Sequence, residues 1–337
     1  MGEVIKMKYD VISLGELLVD FTDNGKSSQG NNTFEANPGG APCNVLAMLA
    51  KLGHQVGFIG KVGNDIFGQL LKDAIEEVGI YSGYLCMDDK VNTTLAFVKK
   101  LENGDRDFSF YRNPGADMML IKDDVNEEAL KQSKIFHFGT LSMTHDGVRE
   151  ATKYAIDIAK NNKSIISFDP NIREPLWDSM DNAREQTLFG MSKCDILKIS
   201  DNELLWVTGA KDYDEGIEWI RNKYNIPLIL LSLGCDGSRA YYSDKDNNLT
   251  VARQEAFINP DTVETTGAGD TFMGCVLHYV LMKGLDNLSN DDLVEMLQYA
   301  NAAASIITTR KGALRVMPES SEVVALLNDV DEVVTKN

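Results

Sequence analysis

The sequence predicts an α/β fold, a mostly parallel central sheet with helices on both faces plus a small additional β-sheet, and three observations predict it. From residue 130 onward, apolar strand-like runs at 135–138, 164–169, 195–199 and 227–232 alternate with helical patterns. That βαβ rhythm buries a parallel sheet between helices. Residues 91–112 instead alternate apolar and polar side chains around Asn103-Gly104, the pattern of a hairpin. Finally, 337 residues with 43% hydrophobic and 25% charged side chains suffice for one large core with a small appendage. One α/β domain over 1–337 is expected, with a small β lid built from about 16–38 and 91–115.

The elements follow in chain order. A strand-like run at 9–14 leads into Gly15-Glu16 and a second apolar stretch ending at Asp20. Residues 22–37 are polar and rich in turn formers. A helix begins near Pro42, because Val45, Met48, Leu49 and Leu52 recur at three- and four-residue spacing and Gly53 stands at its C-terminal cap. The run 55–60 reads as the next strand, and 65–78 as an amphipathic helix stopped by Gly79. The last third holds a second hairpin near 239–253, helices at about 268–283 and 291–309, and an acidic amphipathic helix after Pro318. No internal repeat or low-complexity tract is visible.

Charge and composition exclude several functions. A formal net charge of −18 argues against nucleic acid, whose phosphates call for a basic surface. An anionic nucleotide would have to be held locally by backbone N–H groups, a few cations and a metal. Five dispersed cysteines without CxxC spacing, and four histidines that form no ligand cluster, support neither a disulfide framework nor a zinc site. No stretch has the length of a signal peptide core or a membrane span. A cytoplasmic protein is expected.

Two segments carry chemistry. In VETTGAGDTFMGC, residues 263–275, Gly267, Ala268 and Gly269 stand where a loop turns into an apolar helix. Small residues let the backbone approach an anion, and the helix N-terminus favours negative charge. Asp270 follows in the first turn, where a carboxylate beside a γ-phosphate can accept the proton of an attacking hydroxyl. Alone, the segment is more often a glycine-rich helix cap with Asp complementing the dipole. In NPGGAPCN, residues 37–44, Gly39 and Gly40 admit close backbone approach and Asn44 offers both a donor and an acceptor. By itself this too is a turn and a cap.

Together, in this order and about 220 residues apart, the two segments resemble the signatures of the ribokinase-like (PfkB) carbohydrate kinases: a GG-x-x-x-N helix start and a D-T-T-G-A-G-D loop. The resemblance runs from about residue 9 to 318 and implies a ribokinase-like three-layer sandwich. It also implies ATP as phosphoryl donor, Mg²⁺ as cofactor and Asp270 as catalytic base, with Gly267, Ala268 and Gly269 as the anion hole and Thr266 beside it. Asp20, Gly39, Gly40 and Asn44 match sugar-binding positions. Leu18 stands where ribokinases carry Asn, which counts against ribose.

DPNIR, residues 169–173, resembles the D-x-N-x-R segment, with Asp169 toward substrate and Arg173 offsetting phosphoryl charge. Glu203 matches the Glu of the N-x-x-E motif, which orders Mg²⁺ through water, although Ser200 replaces its Asn. Glu264 replaces the Asp that helps hold a monovalent cation in relatives, so dependence on K⁺ stays open. Ser232, Gly234, Gly237, Asn301 and Gly312 match segments around the nucleotide.

GGAPCN, GDRDFSFYRNPGADMML (104–120) and FHFGTLSM (136–143) are similar to bacterial fructokinases. Fructose is therefore the expected substrate, with Phe108 and Phe110 covering an apolar sugar face and Arg112 and Asp117 meeting hydroxyls. The alternative is 2-keto-3-deoxygluconate, whose carboxylate Arg112 or Arg106 would pair. A more distant alternative is a catalytically silent sugar or nucleotide sensor. The edge of the small sheet suggests a homodimer.

Overall fold

The structure, a computed structural model, describes residues 8–100 and 106–335, with side chains at 99–100, 106–108 and 330–335 left out. Thirteen strands appear among these residues. They are β1 Tyr9–Leu14, β2 Leu18–Lys26, β3 Asn32–Gly39, β4 Val56–Gly63, β5 Ile80–Asp88, β6 Leu95–Lys100 and β7 Arg106–Tyr111. The remainder are β8 Ser133–Gly139, β9 Ile165–Asp169, β10 Ile196–Ser200, β11 Leu228–Ser232, β12 Ser238–Ser243 and β13 Leu249–Gln254. Helices α1 Ala41–Lys51, α2 Ile66–Glu77, α3 Glu127–Lys131, α4 Asp146–Asn161 and α5 Met180–Met191 occupy the first part of the chain. Helices α6 Asp201–Thr208, α7 Tyr213–Lys223, α8 Ala268–Lys283, α9 Asn290–Ile307 and α10 Ser320–Thr335 follow.

Nine strands form the central sheet in the order β13-β12-β11-β10-β9-β8-β1-β4-β5. All its pairings from β11 to β5 are parallel, and the β11-β12-β13 edge is antiparallel. Successive side chains of a strand point to opposite faces, so β1 sends Val11 into one core and Ile12 and Leu14 into the other. The first core packs α1, α8 and α9 with the start of α10; the second packs α4, α6 and α7. These are the expected three layers. The order reverses at β1, since the chain moves outward through β4 and β5 on one side and β8 to β11 on the other. In such sheets the crevice beyond the carboxyl ends of the strands at the reversal receives ligands.

A second sheet of four strands, in the order β3-β2-β6-β7, stands over that crevice. The hairpin expected around Asn103-Gly104 is present as antiparallel β6 and β7, although its turn lies outside the described residues. Chain beyond Tyr111 leaves this sheet. One strand had no clear signal in the sequence: β5, an edge strand, carries Gly83 and is only partly buried, so it shows no sustained apolar period. β3 falls in the polar 16–38 segment expected in the small sheet, although its bounds were not legible there.

Local chemistry sets the helix starts. Asp65 caps α2 by accepting the N–H groups of Phe67 and Gly68 at 3.0 and 2.8 Å. Pro42 supplies the preset φ of the first turn of α1. Helix α8 begins after Gly267 in the left-handed region (φ 77°), a conformation glycine adopts without a Cβ penalty.

Candidate active site

A cleft of about 520 Å³ opens between the carboxyl ends of the central strands and the small sheet. The first helix turns of α1 and α8 meet in it. Asn44, one turn into α1, donates its side-chain N–H to Asp270 Oδ2 at 2.8 Å, joining motifs separated by 226 residues. Asn44 lines the cleft, and its Oδ1 is buried without a hydrogen-bond partner. Asp270 is 9% exposed, and burial raises its carboxyl above the usual carboxylate range against the pull of Asn44, Lys198 and Arg173. A buried carboxylate with one donor and a raised proton affinity is suited to accept a proton.

The glycines of both motifs are there for close approach. A Cβ on Gly39 would strike the Asp20 carboxylate, and one on Gly40 (φ 126°) would strike the carbonyl of Glu16. Asp20, Asn37, Gly39, Gly40, Asn44 and Phe110 all line the cleft, together with Leu18. Phe108 stands two residues before Phe110 in β7, but its side chain lies outside the described residues. Thr266, Gly267, Gly269, Gly312 and Arg173 line the cleft as well, with Gly312 lying against the Asn37 side chain. Ala268 begins α8 beside them. Arg173 is exposed and makes no ion pair among the described residues; its charge reaches Asp270. The backbone of β9 carries on through Asn171 in the left-handed region (φ 44°), which turns the DPNIR segment along the cleft.

Lys198 and Glu16 are cleft residues that sequence reasoning missed. Lys198 is inside β10, where a lysine reads as a strand interruption, and only the tertiary structure reveals its partner. Its Nζ lies 2.9 Å from Asp169 Oδ2, with both side chains buried. A Cβ on Gly269 would come within 3.0 Å of that Nζ, so the ammonium lies directly against the Gly267–Gly269 loop. Burial disfavours its charge, but Asp169 and Glu203 outweigh that and its pKa rises. Asp169 is raised by burial, against the pull of Lys198.

Several residues expected at ligands have other partners. Arg112 is buried and committed to Asp117, with Nη2 at 2.7 Å, and to Thr144 Oγ1 and the Leu141 carbonyl at 2.9 and 3.0 Å. Asp117 also accepts from Thr94. Neither lines the cleft; the pair anchors the chain leaving β7 to the main body. Asn301 donates to the carbonyls of Gln254 and Glu255 and accepts from Ser238, which ties α9 to the β12–β13 edge. Ser232 ends β11 and Gly234 and Gly237 lie in the turn after it; none of them lines the cleft, and Gly237 (φ 90°) leaves no room for a Cβ beside the Gln254 carbonyl.

Glu203 accepts from Ile172 N at 2.8 Å and Ser200 N at 3.0 Å, so it caps α6 while fixing the DPNIR loop. Among the described residues no three acidic, His or Cys side chains form a metal cage. The unpartnered buried Asp169 Oδ1 and the nearby Glu203 nonetheless fit a Mg²⁺ held mainly by phosphate and water. Glu264 Oε1 accepts from Gly312 N at 2.7 Å and so spans the loops at 264 and 312.

Comparisons with known proteins agree with this architecture. The family model for pfkB family carbohydrate kinases matches residues 8–320. A protein named "Probable fructokinase-2" from Arabidopsis thaliana is 38% identical over 319 residues, covering 94% of this chain and 95% of its own. Fructokinase-1 of Zea mays is 36% identical, covering 94% and 97%. Fructokinase from Xylella fastidiosa with bound ATP superposes with a TM-score of 0.86 at 28% identity, covering 96% and 99%. A fructokinase double mutant from Vibrio cholerae O395, in a fructose-, ADP- and potassium-bound form, gives 0.82 at 26%, covering 96% and 100%. With both glycine motifs meeting in one cleft and the family match spanning nearly the whole chain, the protein belongs to the pfkB family of carbohydrate kinases.

Proposed function

We propose that this enzyme transfers the γ-phosphoryl group of ATP to the 6-hydroxymethyl group of fructose. The observation that carries the proposal is the Asn44–Asp270 hydrogen bond, which puts a sugar-binding amide and a proton-accepting carboxylate on one reacting centre. Fructose lies between the small sheet and the strand ends. Asp20 and Asn44 receive its hydroxyls and Leu18 and Phe110 its apolar face. Asp270 accepts the hydroxyl proton as the oxygen bonds to the γ-phosphorus and the bond from that phosphorus to the β-γ bridging oxygen breaks, releasing ADP. The amides at Gly267–Gly269 and the cations of Arg173 and Lys198 receive the charge of the transferred group. Mg²⁺, when bound, neutralises phosphate oxygens, and Asp169 and Glu203 are the residues that would hold it through water. Glu264 bridges the loops that flank a monovalent cation in this reading, and K⁺ is its expected occupant.

Of the two cations that a 2-keto-3-deoxygluconate carboxylate would pair with, Arg112 is already taken by Asp117, which favours fructose; the side chain of Arg106 lies outside the described residues. The intact glycines and base speak against a silent sensor. We take the enzyme to be a cytoplasmic homodimer joined through the small sheet, which acts as the lid. Its five unpaired cysteines support the first point, and its exposed Phe34 and Tyr111 the second. No helix among the described residues is long and apolar enough to cross a membrane. A coupled ATP-consumption assay over fructose, glucose, ribose and 2-keto-3-deoxygluconate tests the substrate. Fructose is expected to give the highest kcat/KM, and a higher value for any other sugar overturns the choice.

A further inference from the structure

Helix α1 has no side-chain cap of its own, since its N-cap is Gly40. The first N–H of the helix, at Ala41, is instead met by Glu16 Oε1 at 3.0 Å from the loop between β1 and β2. The same loop fixes Gly40 from the other side, because the Glu16 carbonyl occupies the space a Cβ would take. Gly40 O then accepts the N–H of Asn44 at 3.0 Å, and Asn44 reaches Asp270. One residue thus begins a continuous chain of contacts that ends at the reacting carboxylate. Glu16 is 4% exposed and faces both the cleft and a small cavity behind it.

We propose that Glu16 is a positioning residue for the sugar site: as a carboxylate it holds the Gly40–Ala41 turn, and with it Asn44, in the geometry that receives the sugar, and its protonation loosens sugar binding. This rests on the fructose kinase reading of the same cleft. An ionised carboxylate at a helix N-terminus is favoured by the macrodipole and makes a stronger bond to an N–H than a neutral acid does. Burial pushes the Glu16 carboxyl up to about 7, with Asp117 adding to the rise and Ala41 N–H and Arg112 opposing it. Cys43 faces it from α1, and Arg112 and Asp117 from the chain after β7. Across the small cavity stand His137, Asp169 and Asp270. His137, which burial lowers to about 3, stays neutral near pH 7. Asp169 and Asp270 are both raised, so a variant has to isolate the contribution of Glu16.

The test measures KM for fructose and kcat at saturating ATP between about pH 6 and 8, for the wild type and Glu16→Gln. The amide keeps an oxygen for Ala41 N–H and removes the titration. The wild-type KM is expected to rise as pH falls through 7, approaching tenfold per unit, whereas the variant holds a raised, nearly constant KM. A variant that retains the wild-type KM and its rise overturns the proposal. If Glu16→Gln fails to fold, a wild-type KM flat over the same range overturns it, and a rise that Glu16→Asp displaces sustains it. Should the wild type consume no ATP with fructose at pH 8, the substrate assignment fails separately, and the same profiles are read on the sugar it accepts.

Discussion

Asn44 ties the two signature motifs into one site, and its contribution to Asp270 has a definite sign. Its amide donates to the ionised carboxylate and so lowers a proton affinity that burial has raised. Removing the donor leaves the burial and raises the pKa further. Asn44→Leu is therefore expected to move the acid limb of the kcat–pH profile to higher pH and to raise KM for fructose. An unmoved limb would remove Asp270 as the group that titrates. At this scale the placement of residues was legible where local backbone chemistry sets it: Gly39, Gly40, Gly267 and Asp270 all line the cleft. It was not legible where a side chain's partner is remote. Nothing near Lys198 or Glu16 in sequence announces Asp169 or Ala41, and nothing near Arg112 or Asn301 announces partners that keep them from the cleft.

Helices α1 and α8 present Asn44 and Asp270 to each other because they cross closely just behind the site. Gly274, one turn after Asp270, makes that crossing possible: a Cβ there would lie 2.7 Å from Met48 Cβ and 3.1 Å from the Val45 carbonyl. Two effects of Gly274→Ala oppose one another. Alanine improves helix propensity by about 1 kcal/mol, whereas overpacking a filled core costs about 1–3 kcal/mol. Both contacts involve core or backbone atoms with little freedom to yield, so the steric cost prevails. The variant is expected to lose Tm and, by parting the helices, to lower kcat/KM for fructose about tenfold or more; unchanged stability and activity would show that the crossing tolerates a methyl group. The helices themselves were read almost to their ends, with 268–283 matching α8. Strand β5 was not, because its partial burial leaves no sustained apolar period to mark it, and β3 was legible only as part of the 16–38 segment of the small sheet.

On the scale of the whole molecule, the small sheet ends in two open edges, β3 and β7, and carries exposed Phe34 and Tyr111 packed around Phe97. Open edges and exposed aromatic rings are association sites unless covered. Light scattering at assay concentration is expected to give twice the 37.3 kDa chain mass, and the double variant Phe34→Glu, Tyr111→Glu to give the single mass. A wild-type monomer contradicts this.

The most direct measurement is the turnover of Asp270→Asn with fructose and saturating ATP, alongside its ATP affinity. Asparagine keeps the shape and the partner Asn44 but cannot take the proton. The account predicts kcat lower by about 10² to 10⁴ with ATP binding retained, and near-normal turnover would contradict it.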